Sequence, residues 1–198
     1  MHRDTDDPTT SRLRTAYCCV AVSLACSFAV ALVASGWAKA GVVPKLNRVA
    51  YNALRSVTGS YPYTLDCGYA PQYKEAEGLA LPPYHGEQAQ VFVRPWICAA
   101  ANRAASGRWE TSTGAQAMAL LVLTHESVHV SPFVGARMEH PTECRALSLF
   151  PALLAALNAP VQIVPALEAW AAQADEQLVA SDPLVYGPAC PASGGGYS

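Results

Sequence analysis

The sequence predicts an α+β fold that is mostly helical and follows an N-terminal membrane segment. One long stretch near the N-terminus is apolar and uncharged, several later segments space their apolar residues as helices do, and only two short segments alternate like strands. The chain of 198 residues has room for a single modest domain. We predict a disordered cytoplasmic tail over 1–15, a membrane segment over 16–38, a domain over 41–186 and a disordered tail over 187–198.

The N-terminal stretch has the length and composition of a transmembrane helix. No residue from Thr15 to Ala38 is charged, and a bilayer core is crossed by about 20 such residues. Arg12 and Arg14 precede the stretch and favour an N-terminus on the inside. This predicts a single-pass protein of the cell membrane whose C-terminal domain lies outside. Ala38-Lys39-Ala40 resembles a signal-peptidase site, so a secreted protein with a removed signal peptide is the alternative.

The cysteines agree with an exported domain. Four of the seven lie beyond the apolar stretch, at Cys67, Cys98, Cys144 and Cys190. Four widely spaced cysteines in an exported domain predict two disulfides, and they lack the CxxC pairs of a structural zinc site. Three pairings are open at this point. The formal charge of −2, with no long basic run, argues against nucleic acid as a partner.

Helical spacing predicts four helices in the domain, and alternation predicts a minor β-sheet. The helix that ends before Pro132 is apolar nearly all round, which is typical of a helix in the middle of a core. The next helix has Pro141 in its first turn, where proline is tolerated. The predicted helices span Pro44–Val57, Gly114–Val130, Glu139–Leu157 and Pro165–Val179, and the strands span Gln88–Arg94 and, more weakly, Tyr63–Cys67.

The segment His125-Glu126-Ser127-Val128-His129 is the chemical centre of the sequence. On a helix, residues four apart leave the same face, so both imidazoles can bind one cation while Glu126 lies beside them. These polar side chains end an otherwise apolar helix, and burying them without partners would cost several kcal/mol. The pattern predicts a zinc site in which Glu126 acts on a zinc-activated water.

A catalytic zinc usually has three protein ligands, so a third is expected downstream. Glu139 and Glu143 lie four residues apart in the next predicted helix, and both can face back toward the histidines. Here the sequence resembles the gluzincin metallopeptidases, in which HExxH is followed by a second helix that carries Glu and then an acid four positions later. The resemblance implies that His125, His129 and Glu139 bind zinc, and that Glu143 hydrogen-bonds a ligand histidine.

Two alternatives to this ligand set are open. Pro141 could delay the start of the second helix, which would make Glu143 the third ligand instead of Glu139. His140 is a further candidate, although the longer HExxHxxGxxH signature is absent.

The resemblance also implies a small zincin-like domain that hydrolyses peptide bonds of a peptide or protein substrate. Glu126 would be the general base that takes the water proton and passes it to the leaving amine. An oxyanion stabiliser is needed as well, and Tyr63, Tyr84, His85 and Trp109 are the candidates before the helix. The alternatives are a non-catalytic zinc-binding or interaction module tethered to the membrane, and a structural membrane protein whose histidines only pack.

Overall fold

A computed structural model of the chain describes residues 45–68, 76–81, 83, 88–110, 114–133, 138–188 and 190. The predicted tail over 1–15 and membrane segment over 16–38 lie outside these residues. Among the helices that are described, none is both long and apolar enough to cross a bilayer.

The described part is mostly helical, with one small sheet, which confirms the α+β prediction. All four predicted helices and both predicted strands are present with small shifts at their ends. In chain order the elements are α1 (Arg48–Thr58), β1 (Tyr63–Asp66), β2 (Gly78–Leu81), β3 (Ala89–Val93), α2 (Pro95–Ala105), α3 (Gly114–His129), α4 (Glu139–Ala156), α5 (Val164–Ser181) and α6 (Pro183–Tyr186).

Helix α3 forms the centre of the domain, as its apolar sequence predicted. It packs against α1, α2, α4, α5 and strands β2 and β3. Because neighbours cover it on nearly every side, residues as different in direction as Ala119, Leu120, Leu121 and Leu123 are all buried. The C-terminal end of this central helix therefore has a fixed position, and it is the end that carries the two histidines.

The sheet has three strands in the order β1-β3-β2. Strand β1 pairs with β3 in parallel and β2 pairs with β3 antiparallel, with Gly78 opposite Val93. Alternation is clear in β3, where Ala89, Val91 and Val93 are buried and Gln90 is exposed. Strand β2 and helices α2 and α6 were not among the predicted elements. Strand β2 is too short to show a period, whereas α2 begins at Pro95, which is a favourable first helical residue.

Helix α4 begins at Glu139 and was predicted nearly to its last residue. Pro141 does not delay its start, because the first-turn amides have no helical partner to lose. The backbone N–H of Thr142 donates to the carbonyl of Met138 at 3.1 Å, so the helix is formed from its first turn. Glu139 and Glu143 consequently lie one turn apart on the same face, toward α3.

Two disulfides confirm the cysteine prediction and decide the pairing. Cys67, just after β1, is bonded to Cys98 of α2, and Cys144 of α4 is bonded to Cys190. The second bond ties the segment after α6 to the helix that carries the two glutamates. Residues 191–198 of the predicted disordered tail lie outside the described residues.

Candidate metal centre

His125 and His129 meet at the C-terminal end of α3. Their ring centroids are 4.7 Å apart and their Nε2 atoms are 2.9 Å apart. Both side chains are mostly buried, with 12% and 14% of their surface exposed. Two imidazole nitrogens at this separation need a proton or a cation between them, because their lone pairs would otherwise face each other. The one-turn spacing predicted in the sequence therefore produces a shared binding point.

Glu139 supplies the third atom of this group. Its Oε2 lies 3.1 Å from Nε2 of His125 and 3.6 Å from Nε2 of His129. Atoms bound to a tetrahedral zinc at about 2.0 to 2.1 Å are roughly 3.3 Å from one another, which is close to the three separations found here. Two imidazole nitrogens and one carboxylate oxygen are also a donor set suited to a divalent metal. The residues therefore fit a metal ion, and we call them the metal group.

Glu143 lies behind the metal group, where it contacts the other nitrogen of His125. Its Oε2 accepts a hydrogen bond from Nδ1–H of His125 at 2.6 Å, and only 4% of the side chain is exposed. This bond holds the imidazole so that its Nε2 faces Glu139 and His129. Glu139 therefore lies with the two Nε2 atoms, and Glu143 lies behind His125. The sequence alone had left open which of these two glutamates would be the third ligand.

The two carboxylates beside His125 favour its protonated form. Burial would by itself lower the pKa of His125, but the hydrogen bonds to Glu139 and Glu143 outweigh it and raise that pKa to about 10. Hydrogen bonds from His125 and His129 hold the pKa of Glu139 well below its usual range. A cation at this point is therefore stabilised, whether it is a proton or a metal ion.

Glu126 lies beside the metal group and against strand β2. It is buried, with 8% of its surface exposed, and that burial raises the pKa of its carboxyl. The backbone of Gly78 approaches it so closely that a Cβ there would be 2.7 Å from Cγ and 2.8 Å from Cδ of Glu126. A residue with a Cβ at this point of β2 would therefore force the side chain of Glu126 to move.

A cleft of about 660 Å³ opens over the metal group. This volume is in the range of small-molecule and peptide sites. Strand β2 forms one wall, and in the described sheet its outer edge pairs with no other strand. The described residues that line the cleft are Ala76, Glu77, Gly78, Leu79, Ala80, Met118, Leu121, Val122, His125, Glu126, His129, Glu139, Glu143, Leu178 and Tyr186.

Tyr186 is the aromatic residue of this cleft that the sequence analysis missed. It is half-buried at the end of α6, and burial together with the charges of Glu139 and Glu143 raises the pKa of its hydroxyl. The disulfide between Cys144 and Cys190 holds its segment against α4. Cys190 lies four residues after Tyr186, so its disulfide partner would have indicated that Tyr186 is near α4. Sequence spacing does not reveal that partner.

The remaining candidate residues that the structure describes do not belong to the metal group. Tyr63 is buried against the far side of α3, with its hydroxyl 2.8 Å from Oγ of Ser127, and Trp109 packs on the core without lining the cleft. His140 lies outside the metal group, with its ring against Gly187 and Nδ1 3.8 Å from Sγ of Cys144. Tyr84 and His85 lie outside the described residues.

Comparison of the chain with protein-family models, curated proteins and solved structures finds no match.

Proposed function

We propose that this protein is a zinc-dependent peptidase of the gluzincin type. The observation that carries the proposal is the convergence of three donor atoms, from His125, His129 and Glu139, within 3.6 Å of one another at the floor of a cleft. Glu143 behind His125 and Glu126 beside the group support the proposal, because they stand where a positioning carboxylate and a general base would act.

Zinc bound to the metal group would polarise the scissile carbonyl and lower the pKa of a water molecule toward about 7. Glu126 then accepts a proton from the attacking water at its carboxylate and passes it to the leaving amine. Its burial supports this role, because a raised pKa makes the protonated form easier to reach between the two transfers. Glu143 holds the ring of His125 in place throughout.

We further propose Tyr186 as the donor to the oxygen of the reacting carbonyl. It lines the same cleft as Glu126 and the metal group. Its hydroxyl is protonated at neutral pH, as that of any ordinary tyrosine is, and burial raises its pKa further. A neutral O–H near developing negative charge is the kind of group that stabilises a tetrahedral intermediate.

We also propose that the domain works on the outer side of a cell membrane, tethered through residues 16–38 or secreted. The two disulfides support this placement, since such bonds persist in oxidising compartments.

The test uses the full chain, purified in mild detergent with its disulfides intact and supplied with one equivalent of zinc. Bound metal is measured by mass spectrometry, and hydrolysis is followed on a mixed peptide library. His125→Ala is expected to abolish stoichiometric zinc binding. Glu126→Gln is expected to keep zinc and the melting temperature while hydrolysis falls by at least about a hundredfold.

Glu176→Gln is the matched control, because it makes the same chemical change at an exposed position of α5. It is expected to behave like the unaltered protein in zinc content and hydrolysis. A protein that binds no zinc would contradict the proposal as a whole. A protein that binds zinc but cleaves no peptide would instead be the non-catalytic zinc-binding module.

A further inference from the structure

A second set of metal-binding side chains lies where a disulfide joins α4 to the segment after α6. One ring nitrogen of His140 and the Sγ atoms of Cys144 and Cys190 all lie within 4.8 Å of one another. His140 and Cys144 are four residues apart on α4, so they leave the same face of that helix. One imidazole nitrogen and two sulfurs are a donor set that suits zinc. We call these three residues the cysteine group.

Asp175 of α5 adds an oxygen donor beside the cysteine group. The residue is buried, its Oδ2 accepts a hydrogen bond from the backbone N–H of Cys190 at 3.2 Å, and its Oδ1 is 3.4 Å from Sγ of Cys190. While Cys190 is in the disulfide, its sulfur carries no proton and cannot donate to that oxygen. A proton on the sulfur, or a cation bound to it, would make this contact favourable.

The separations between these donors are close to those of a tetrahedral zinc site. With Zn–S near 2.3 Å and Zn–N or Zn–O near 2.1 Å, a ligand nitrogen or oxygen stands about 3.6 Å from a ligand sulfur. Nδ1 of His140 is 3.8 Å from Sγ of Cys144, and the contact between Asp175 and Cys190 is 3.4 Å. Because the thiolate is the form of cysteine that binds a metal, both sulfurs become ligands only after the disulfide is reduced.

Cys190 is the residue at which reduction can begin. It is partly exposed, whereas Cys144 and both cysteines of the other disulfide are buried. One thiolate of an external dithiol attacks Sγ of Cys190 and displaces the thiolate of Cys144, and the second thiol of the reductant then resolves the mixed disulfide. The dithiol becomes a disulfide, while its two electrons and two protons convert both cysteines to thiols.

We propose that this dithiol-reduced form binds a second zinc ion through His140, Cys144 and Cys190, with Asp175 as the fourth donor. Zinc binding releases the two thiol protons to solvent, and no further electrons move. The ion connects α4 to the segment after α6, as the disulfide does in the oxidised protein, and it also engages α5. The segment that carries Tyr186 therefore stays tied to α4 in both redox states.

The test titrates the full chain with cobalt(II), before and after reduction with dithiothreitol that is then removed without air. Cobalt bound to thiolates gives a charge-transfer band in the near ultraviolet, which the sulfur-free metal group cannot give. The reduced protein is expected to show this band and to bind one more equivalent of metal than the oxidised protein. Zinc should then displace the cobalt and abolish the band. A reduced protein that binds no more metal than the oxidised one would overturn the proposal.

Variants assign the additional metal to the cysteine group. His140→Ala is expected to weaken binding of the additional zinc at least about tenfold, and Asp175→Asn about tenfold. Glu176→Gln, at the exposed neighbour of Asp175 on α5, is the matched control and should bind like the unaltered protein. Binding that neither His140→Ala nor Asp175→Asn weakens would contradict the assignment.

Serines at both Cys144 and Cys190 separate this site from the other thiols. The double variant keeps Cys18, Cys19 and Cys26, and it is expected to lose the band. A band that persists in it would come from those cysteines and would contradict the proposal. Alkylation of free thiols followed by mass spectrometry identifies which disulfide was reduced.

Two further measurements cover the remaining outcomes. If the reduced protein without metal is unfolded by circular dichroism, recovery of its helical signal on addition of zinc supports the site, and failure to recover overturns it. A metal group that binds no zinc would contradict the peptidase but not this proposal, because the charge-transfer band depends on sulfur ligands alone.

Discussion

At the scale of single residues, the chemistry of the site depends on side chains that each have a defined neighbour. His125 bridges Glu139 and Glu143 through its two ring nitrogens, and Glu126 is confined by the backbone of Gly78. These contacts restrict the rotamers of His125 and Glu126, and under the proposed function they would hold both groups in place before substrate arrives.

Gly78→Ala is expected to displace Glu126 without touching the metal group. The added methyl would overlap the carboxylate, and a displacement near 1 Å of a reacting group costs about a hundredfold in rate. We expect kcat to fall by that order while zinc content stays at one equivalent.

Adding the same change to Glu126→Gln provides the control. If Gly78 acts through Glu126, the double variant is expected to be little slower than Glu126→Gln alone. If instead each substitution lowers the rate by its own full factor in the double variant, Gly78 acts through some other group.

The raised pKa of His125 predicts how zinc binding depends on pH. Zinc must displace the proton that His125 holds up to about pH 10, so the apparent affinity is expected to rise roughly tenfold per pH unit between 7 and 9. Calorimetry in buffers of different ionisation enthalpy should detect about one proton released per zinc. An affinity that does not change over this range would contradict the ion-pair arrangement.

The raised pKa of His125 also determines how the stability of the protein without zinc depends on pH. The pKa of His125 is higher in the folded state than its ordinary value of 6.5, so its contribution is fully present below pH 6.5 and is lost as pH rises through about 10. Glu139 has the opposite shift, and its contribution is lost as the solution becomes acidic. Metal-free protein is therefore expected to lose melting temperature on both sides of neutral pH.

At the scale of elements, the disulfide between Cys144 and Cys190 connects the helix of Glu143 to the segment of Tyr186. Helix α6 packs against α4 and α5, and Gly187 lies against the ring of His140. The φ angle of Gly187 is 65°, a conformation that other residues rarely adopt, so the turn after Tyr186 also depends on glycine. The position of Tyr186 is thus set by a short tethered segment.

Tyr186→Phe, which removes only the hydroxyl, is expected to lower kcat by about tenfold to a hundredfold with little change in KM.

Replacing Cys144 and Cys190 by serine is expected to slow hydrolysis while zinc binding is retained, because Tyr186 loses its fixed place in the cleft. Serines at Cys67 and Cys98 are the matched control. Each disulfide contributes about 2 to 5 kcal/mol to the free energy of unfolding, so both double-serine variants should have a lower melting temperature. Only the variant that lacks Cys144 and Cys190 should have a lower kcat, measured at a temperature where all variants are folded.

At the scale of the whole molecule, the metal group joins the central helix α3 to α4. Both helices also contribute to the hydrophobic core, through residues such as Leu120, Leu123, Phe150 and Leu153. An ion held by both would bind the folded state and not the unfolded chain, so its binding free energy adds to stability.

Removing zinc with a chelator is expected to lower the melting temperature by about 10 °C. Zinc at a thousand times its dissociation constant stabilises the folded state by roughly 4 kcal/mol, and each kcal/mol is worth about 2 to 4 °C in a domain of this size. The calorimetric transition should return on addition of zinc. The variant Glu139→Gln is expected to show a much smaller response, whereas an equal response in that variant would place the ion elsewhere.

Local spacing was sufficient to predict α3 and α4. Apolar residues on all sides of Gly114–His129 predicted a central helix, and Pro141 was correctly placed in the first turn of the next one. The same patterns could not predict β2, because four residues with little alternation carry no period. They did not reveal Tyr186 either, since its proximity to the cleft depends on Cys190, which is 46 residues from its partner.

The sequence alone determined that two imidazoles leave one helix face, that two carboxylates follow on a second helix, and that four cysteines lie beyond the apolar stretch. These properties depend on periodicity and composition, which are local. Only the tertiary structure decided that Glu139 meets both Nε2 atoms while Glu143 lies behind His125, how the cysteines pair, and that Gly78 and Tyr186 lie beside the cleft. Those outcomes depend on how distant segments pack around α3, and the spacing of residues within one helix does not specify that packing.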